Sequence, residues 1–131
     1  MIGLDTNLLV RYLTQDDLAQ AKKAGEVIEK AAAKGEKLLI QPVVLCELVW
    51  VLETAYKYAR KEAVVVLEKI LRTAQFEFPE KETAWRAWDD YRSGKGDFAD
   101  YLIGRANERM GAEHTLTFDQ TLKSHKQFRV L

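Results

Sequence analysis

The chain has 131 residues and one cysteine, Cys46, so it has the length of one domain and cannot close an internal disulfide or a cysteine-based zinc site. Lysine plus arginine number 20, as do aspartate plus glutamate, so bulk positive charge cannot be the basis of any nucleic-acid binding. No apolar run reaches the roughly 20 residues needed to cross a bilayer, and the opening Met1-Ile2-Gly3-Leu4-Asp5 is not a signal peptide, so a cytoplasmic protein with no membrane partner is expected.

In chain order, the pattern predicts a short strand over 2–5 and helices over 7–14 and 16–33, the second stopped at Gly35. Leu38-Leu39-Ile40 reads as a buried strand. A helix over 42–58 follows, with Pro42 suited to its first turn, and then a helix over 61–73. Residues 75–78 read as a strand, 80–92 as a helix, 94–96 as a glycine-rich loop and 98–110 as a helix ended by Gly111. Residues 114–118 read as a strand, 120–124 as a short helix and 128–131 as a last strand. Strands alternating with helices predict an α/β fold. The expected form is one domain over 1–131, a three-layer arrangement with a short, mostly parallel sheet of about five strands flanked by helices. Ligands in such folds bind beyond the carboxyl ends of the strands, so acids there are the first place to look.

Asp5 ends the first strand and Asp119 follows the fourth. Glu47 lies on the helix after the second strand. Asp97 and Asp100 open the helix before the fourth. Capping alone would explain Asp5 and Asp119, and Asp97 with Asp100 has the spacing of a capping box. Glu47 is harder to dismiss. Val43, Val44, Trp50 and Val51 are its helical neighbours, and an ionised carboxylate on such a face needs a basic partner or a metal. Carboxylates brought together repel and raise one another's pKa, and a divalent cation removes that cost. Oxygen donors suit Mg²⁺ or Mn²⁺, and the matching chemistry is metal-assisted hydrolysis of a phosphate ester.

The opening Ile2-Gly3-Leu4-Asp5-Thr6-Asn7-Leu8-Leu9-Val10 resembles the start of PIN-domain proteins. The stretch Pro42 to Leu52, centred on Glu47, resembles their second motif, Asp97 to Ile103 their third, and Thr115-Leu116-Thr117-Phe118-Asp119 their fourth. The motifs occur in the family's order. Length and layout resemble the VapC-type toxins of toxin–antitoxin pairs. The resemblance implies an Mg²⁺- or Mn²⁺-dependent endoribonuclease that acts on RNA, is neutralised by a cognate antitoxin and forms a homodimer. It implies that Asp5, Glu47 and Asp100 are central metal ligands and catalytic residues. Asp119 would be the fourth acid and Asp97 an assistant on the face of Asp100. Thr6, Asn7 and Thr117 would orient ligands or water.

Arg92 and Lys95, beside the loop before Asp97, are the best candidates for touching RNA phosphates. His114 and His125 could be general bases but sit in no motif, Trp50, Trp85 and Trp88 could stack bases but are read as core or interface, and Cys46 is read as core. Two other functions compete. One is a haloacid-dehalogenase-like phosphatase with Asp5 as nucleophile, although Asn7 stands where that motif needs a second aspartate. The other is a PIN-like module that binds RNA or a partner without cutting.

Overall fold

The computed structural model describes residues 1–131, which divide into two units, Met1–Pro79 and Glu80–Leu131.

The first unit begins with strand β1 (Ile2–Gly3), helix α1 (Thr6–Thr14) and helix α2 (Leu18–Lys34). Asp5 caps α1 by accepting the Leu8 amide at 3.1 Å, and Asp17 caps α2 by accepting the Gln20 amide at 3.1 Å. Each carboxylate satisfies a donor that the first helical turn leaves without a partner. Helix α1 closes at Gln15 in the left-handed region (φ 55°), and α2 closes at Gly35 (φ 66°), where the lack of a Cβ removes the penalty. On α2 the buried positions Ala21, Ala24, Ile28 and Ala31 recur at helical spacing, and the small residues let α1 approach closely. Asp16, in the connection, accepts from Tyr56 Oη at 2.6 Å, Thr14 Oγ1 at 3.1 Å and Arg11 at 3.0 Å. The Tyr56 bond leads in holding its carboxyl below the usual range.

Strand β2 (Leu38–Leu39), helices α3 (Pro42–Thr54) and α4 (Arg60–Arg72) and strand β3 (Phe76–Glu77) complete the unit. The sheet has the order β1-β2-β3 and is wholly parallel, with Ile2 opposite Leu38 and Leu38 opposite Phe76. Parallel neighbours require crossovers, and helix pairs supply them here. Leu9, Leu38, Ile40, Leu45, Leu48, Leu52, Leu67 and Leu71 are almost wholly buried. Each such side chain contributes about 1.5–3 kcal/mol relative to exposure.

Helix α3 ends at Thr54, short of the expected 58. Lys57 adopts φ 58°, and the Tyr58 amide turns back to the Leu52 carbonyl at 2.9 Å. Ala55 caps the helix in the right-handed region, and Lys57 beyond it turns the chain back in the left-handed conformation usually signalled by glycine.

The second unit holds helices α5 (Lys81–Ser93) and α6 (Phe98–Arg109), strand β4 (Thr115–Thr117), a single 3-10 turn over 120–122 and strand β5 (Phe128–Val130). Strands β4 and β5 pair in parallel, Thr115 opposite Phe128. Five strands are present as expected, but they bond as a sheet of three and a sheet of two. Runs of two or three residues offer few ladder bonds. Tyr91, Phe98, Tyr101, Leu122 and Phe128 form this unit's core. Gly104 is required there, since a Cβ would stand 2.6 Å from the Phe128 ring.

Helices α5 and α6 are bolted together by a two-pronged ion pair. Arg105 Nε and Nη2 donate to Asp90 Oδ2 and Oδ1 at 2.7 and 2.8 Å. His125 joins it: its Nδ1 accepts the Gln127 amide at 3.1 Å, so the proton sits on Nε2, 3.1 Å from Asp90 Oδ2. The bonds from Asp90 hold the Arg105 guanidinium charged more firmly than usual, against the opposing effect of burial. No helix is long and apolar enough to cross a membrane.

Candidate functional site

In the first unit, Asp5, Thr6 and Asn7 follow the carboxyl end of β1. Asp5 is exposed and caps α1 through Oδ1. The Thr6 hydroxyl donates to Glu47 Oε1 at 2.9 Å, so α1 and α3 bring a hydroxyl and a carboxylate together. Asn7 lines a shallow cavity with Leu8, Arg11, Gln20 and Lys23.

Glu47 departs from expectation. It is exposed and bonded to a hydroxyl, not embedded in apolar surroundings. The buried side of α3 is Val44, Leu45, Leu48, Val49 and Leu52, whereas Val43, Glu47 and Trp50 form the outward stripe. The burial cost that demanded a basic partner or a metal therefore does not arise.

In the second unit, Asp97 occupies the N-cap position of α6, but its side chain makes no capping bond. The capping box suggested by its spacing with Asp100 is absent. Asp100, half-buried in the first turn of α6, is pushed above the usual carboxylate range by burial first, then by the negative charges of Asp97 and Asp119. The three acids thus feel one another. Asp119 is ordered differently. Its Oδ1 accepts from the Thr121 amide at 2.9 Å and the Thr121 hydroxyl at 2.7 Å, which keep its carboxyl below the usual range. Its own amide donates to Thr117 Oγ1 at 3.0 Å, which ties the backbone of Asp119 to the last residue of β4.

Sequence reasoning missed Thr121, although an aspartate two residues before a threonine is a readable turn signal. It also missed Tyr101, whose buried hydroxyl accepts the Gly96 amide at 3.0 Å and so shapes the loop before Asp97. A Cβ on Gly94 would lie 2.1 Å from that oxygen. Lys95 is exposed at the loop's tip. Arg92 is engaged nearby, paired with Asp89 and lying over the Trp88 ring at 4.8 Å from its centre. Of the two histidines, His114 Nε2 lies 3.0 Å from Arg129 Nη2, and His125 Nε2 lies 3.1 Å from Asp90 Oδ2.

The donor chemistry suits a hard divalent ion. The ligand atoms on offer are carboxylate oxygens, and the repulsion that adds to burial in raising Asp100 is what a cation would relieve. No group of three or more His, Cys, Asp or Glu side chains stands close enough to enclose a metal.

The family model described as "PIN domain" matches residues 2–126. That span includes Asp5, Glu47, Asp97, Asp100 and Asp119. The chain is also similar to a protein of Aquifex aeolicus (strain VF5) named "VapC ribonuclease", with 30% identity over 120 residues, 92% of this chain and 88% of that relative.

Proposed function

The chain belongs to the PIN domain family, and from that premise we propose that it is a VapC-type endoribonuclease hydrolysing RNA phosphodiester bonds. The observation that carries this reading is the family match over residues 2–126, a span that contains Asp5, Glu47, Asp100 and Asp119. We read residues 1–131 as one functional domain, because a single match spans both units.

Asp5, Glu47, Asp100 and Asp119 are the proposed catalytic acids and ligands of Mg²⁺ or Mn²⁺, with Asp97 assisting. When bound, the cation supplies an activated water and charge stabilisation at the phosphoryl oxygens. The chain's own residues do the positioning. Thr6 fixes the Glu47 carboxylate, and Thr121 and Thr117 fix Asp119 by side chain and backbone. Burial, and after it the charge on Asp97 and Asp119, keeps Asp100 readier than an ordinary carboxylate to hold a proton. Lys95 is the proposed phosphate contact, with Arg92 as a stiffer neighbour. Asn7, two residues beyond Asp5, is proposed to orient ligands or water there. The biological setting that goes with this reading is a cytoplasmic homodimer neutralised by a cognate antitoxin.

The test is cleavage of single-stranded RNA beside a generic phosphomonoester. RNA cutting with Mg²⁺ or Mn²⁺, lost in EDTA and in Asp5→Asn, is expected. Release of phosphate from the monoester alone would support the phosphatase reading, and metal binding with intact RNA would support a non-cleaving module.

A further inference from the structure

Only two aromatic rings in the chain are more than half exposed: Trp50 at 66% and Phe118 at 80%. Neither position is random with respect to the acids. Trp50 stands three residues beyond Glu47 on the outward stripe of α3, so ring and carboxylate are neighbours on one helix face. Phe118 directly precedes Asp119, whose carboxylate is fixed by Thr121. Each unit therefore presents one ring to solvent beside one proposed catalytic acid.

We propose that Trp50 and Phe118 are stacking platforms for unpaired bases of the RNA, one beside Glu47 and one beside Asp119. The proposal rests on the nuclease reading and deepens it, making single-stranded RNA the substrate. Two observations favour a nucleic-acid occupant over a protein. The chain has no net charge, so phosphate attraction alone is a weak source of affinity, and stacking, which needs no charge, can supply the rest. In addition, a dry protein interface over either ring would cover the carboxylate of Glu47 or Asp119, and the centre of such an interface is depleted in charge. A nucleic acid brings its counterions and leaves the acid solvated. Bases inside a duplex have no free face to offer, whereas unpaired ones do.

Fluorescence anisotropy of an end-labelled, unpaired oligoribonucleotide in EDTA reads binding apart from cleavage. Trp50→Ala and Phe118→Ala should each weaken binding about 5- to 100-fold, while Trp50→Phe and Phe118→Tyr stay near wild type. A duplex of the same sequence should bind more weakly and respond little to either alanine. In Mg²⁺, the alanine variants should raise KM with kcat nearly unchanged. Both rings are exposed, so their removal leaves the core intact, and circular dichroism checks this. Failure of the wild type to bind unpaired RNA, or unchanged affinity in both alanine variants, overturns the proposal. So does a Trp50→Ala variant that dissociates from dimer to monomer in sedimentation while its RNA affinity is unaltered. RNA binding that depends on the rings, without cleavage in Mg²⁺, would overturn the nuclease reading and leave the stacking role standing.

Discussion

The Thr6 hydroxyl donates a 2.9 Å hydrogen bond to Oε1 of Glu47, tying the first residue of α1 to the exposed stripe of α3. A glutamate with free rotamers would otherwise sample several positions in water. Thr6→Val should reduce RNA cleavage about 10-fold, the scale of losing a group that orients a metal ligand. Thr6→Ser should restore it. Because the bond is exposed, the melting temperature should hardly move. Initial rates and a thermal melt separate the two effects.

Asp5 has two tasks, and substitution can part them. Asparagine caps a helix as well as aspartate does. Asp5→Asn should therefore lose cleavage and keep wild-type stability. Asp5→Ala should lose cleavage and also about 1 kcal/mol, because the Leu8 amide loses its acceptor. Denaturant titration of the two variants side by side checks this.

For Asp100, burial and then the charges of Asp97 and Asp119 raise the folded-state pKa above the ordinary carboxylate value of 3.8. An acid shifted this way binds its proton more readily when folded. The folded state gains stability as pH falls through the raised value, and ionisation costs stability above it. At pH 7, Asp100→Asn should thus melt higher than wild type while cutting no RNA. The gap should close as the pH is lowered past the raised value. Calorimetry at several pH values reads the trend, and stabilisation gained at the expense of activity is characteristic of a strained site.

The Asp90–Arg105 pair lies between α5 and α6 and is mostly shielded from solvent, with Asp90 also bonded to His125. Removing the acid strands a guanidinium. Asp90→Ala should destabilise by about 3–5 kcal/mol, measured by denaturant unfolding.

Much of this architecture is legible in the amino-acid sequence where chemistry leaves local marks. Asp5 and Pro42 announce helix starts and Gly35 announces a stop, and each behaves as its residue type dictates. The end of α3 is hidden because Lys57 supplies the left-handed turn without any glycine signal. Glu47 was misjudged because an apolar run as dense as that of α3 implies burial all round, yet the helix turns Val43, Glu47 and Trp50 outward. Thr6 beside Glu47 is a tertiary contact between residues 41 apart, which no local pattern encodes. The split of the strands into three and two depends on ladders too short to leave a periodic signature.

Asp97 sits where a helix-starting aspartate usually works for its helix, yet its carboxylate holds none of the amides of α6. Asp5, Asp17 and Asp119 each clamp a turn. Deleting the group at position 97 thus removes negative charge and nothing mechanical. Among these acids it is the place where a change in activity can be assigned to electrostatics or ligation without correcting for damage to the scaffold.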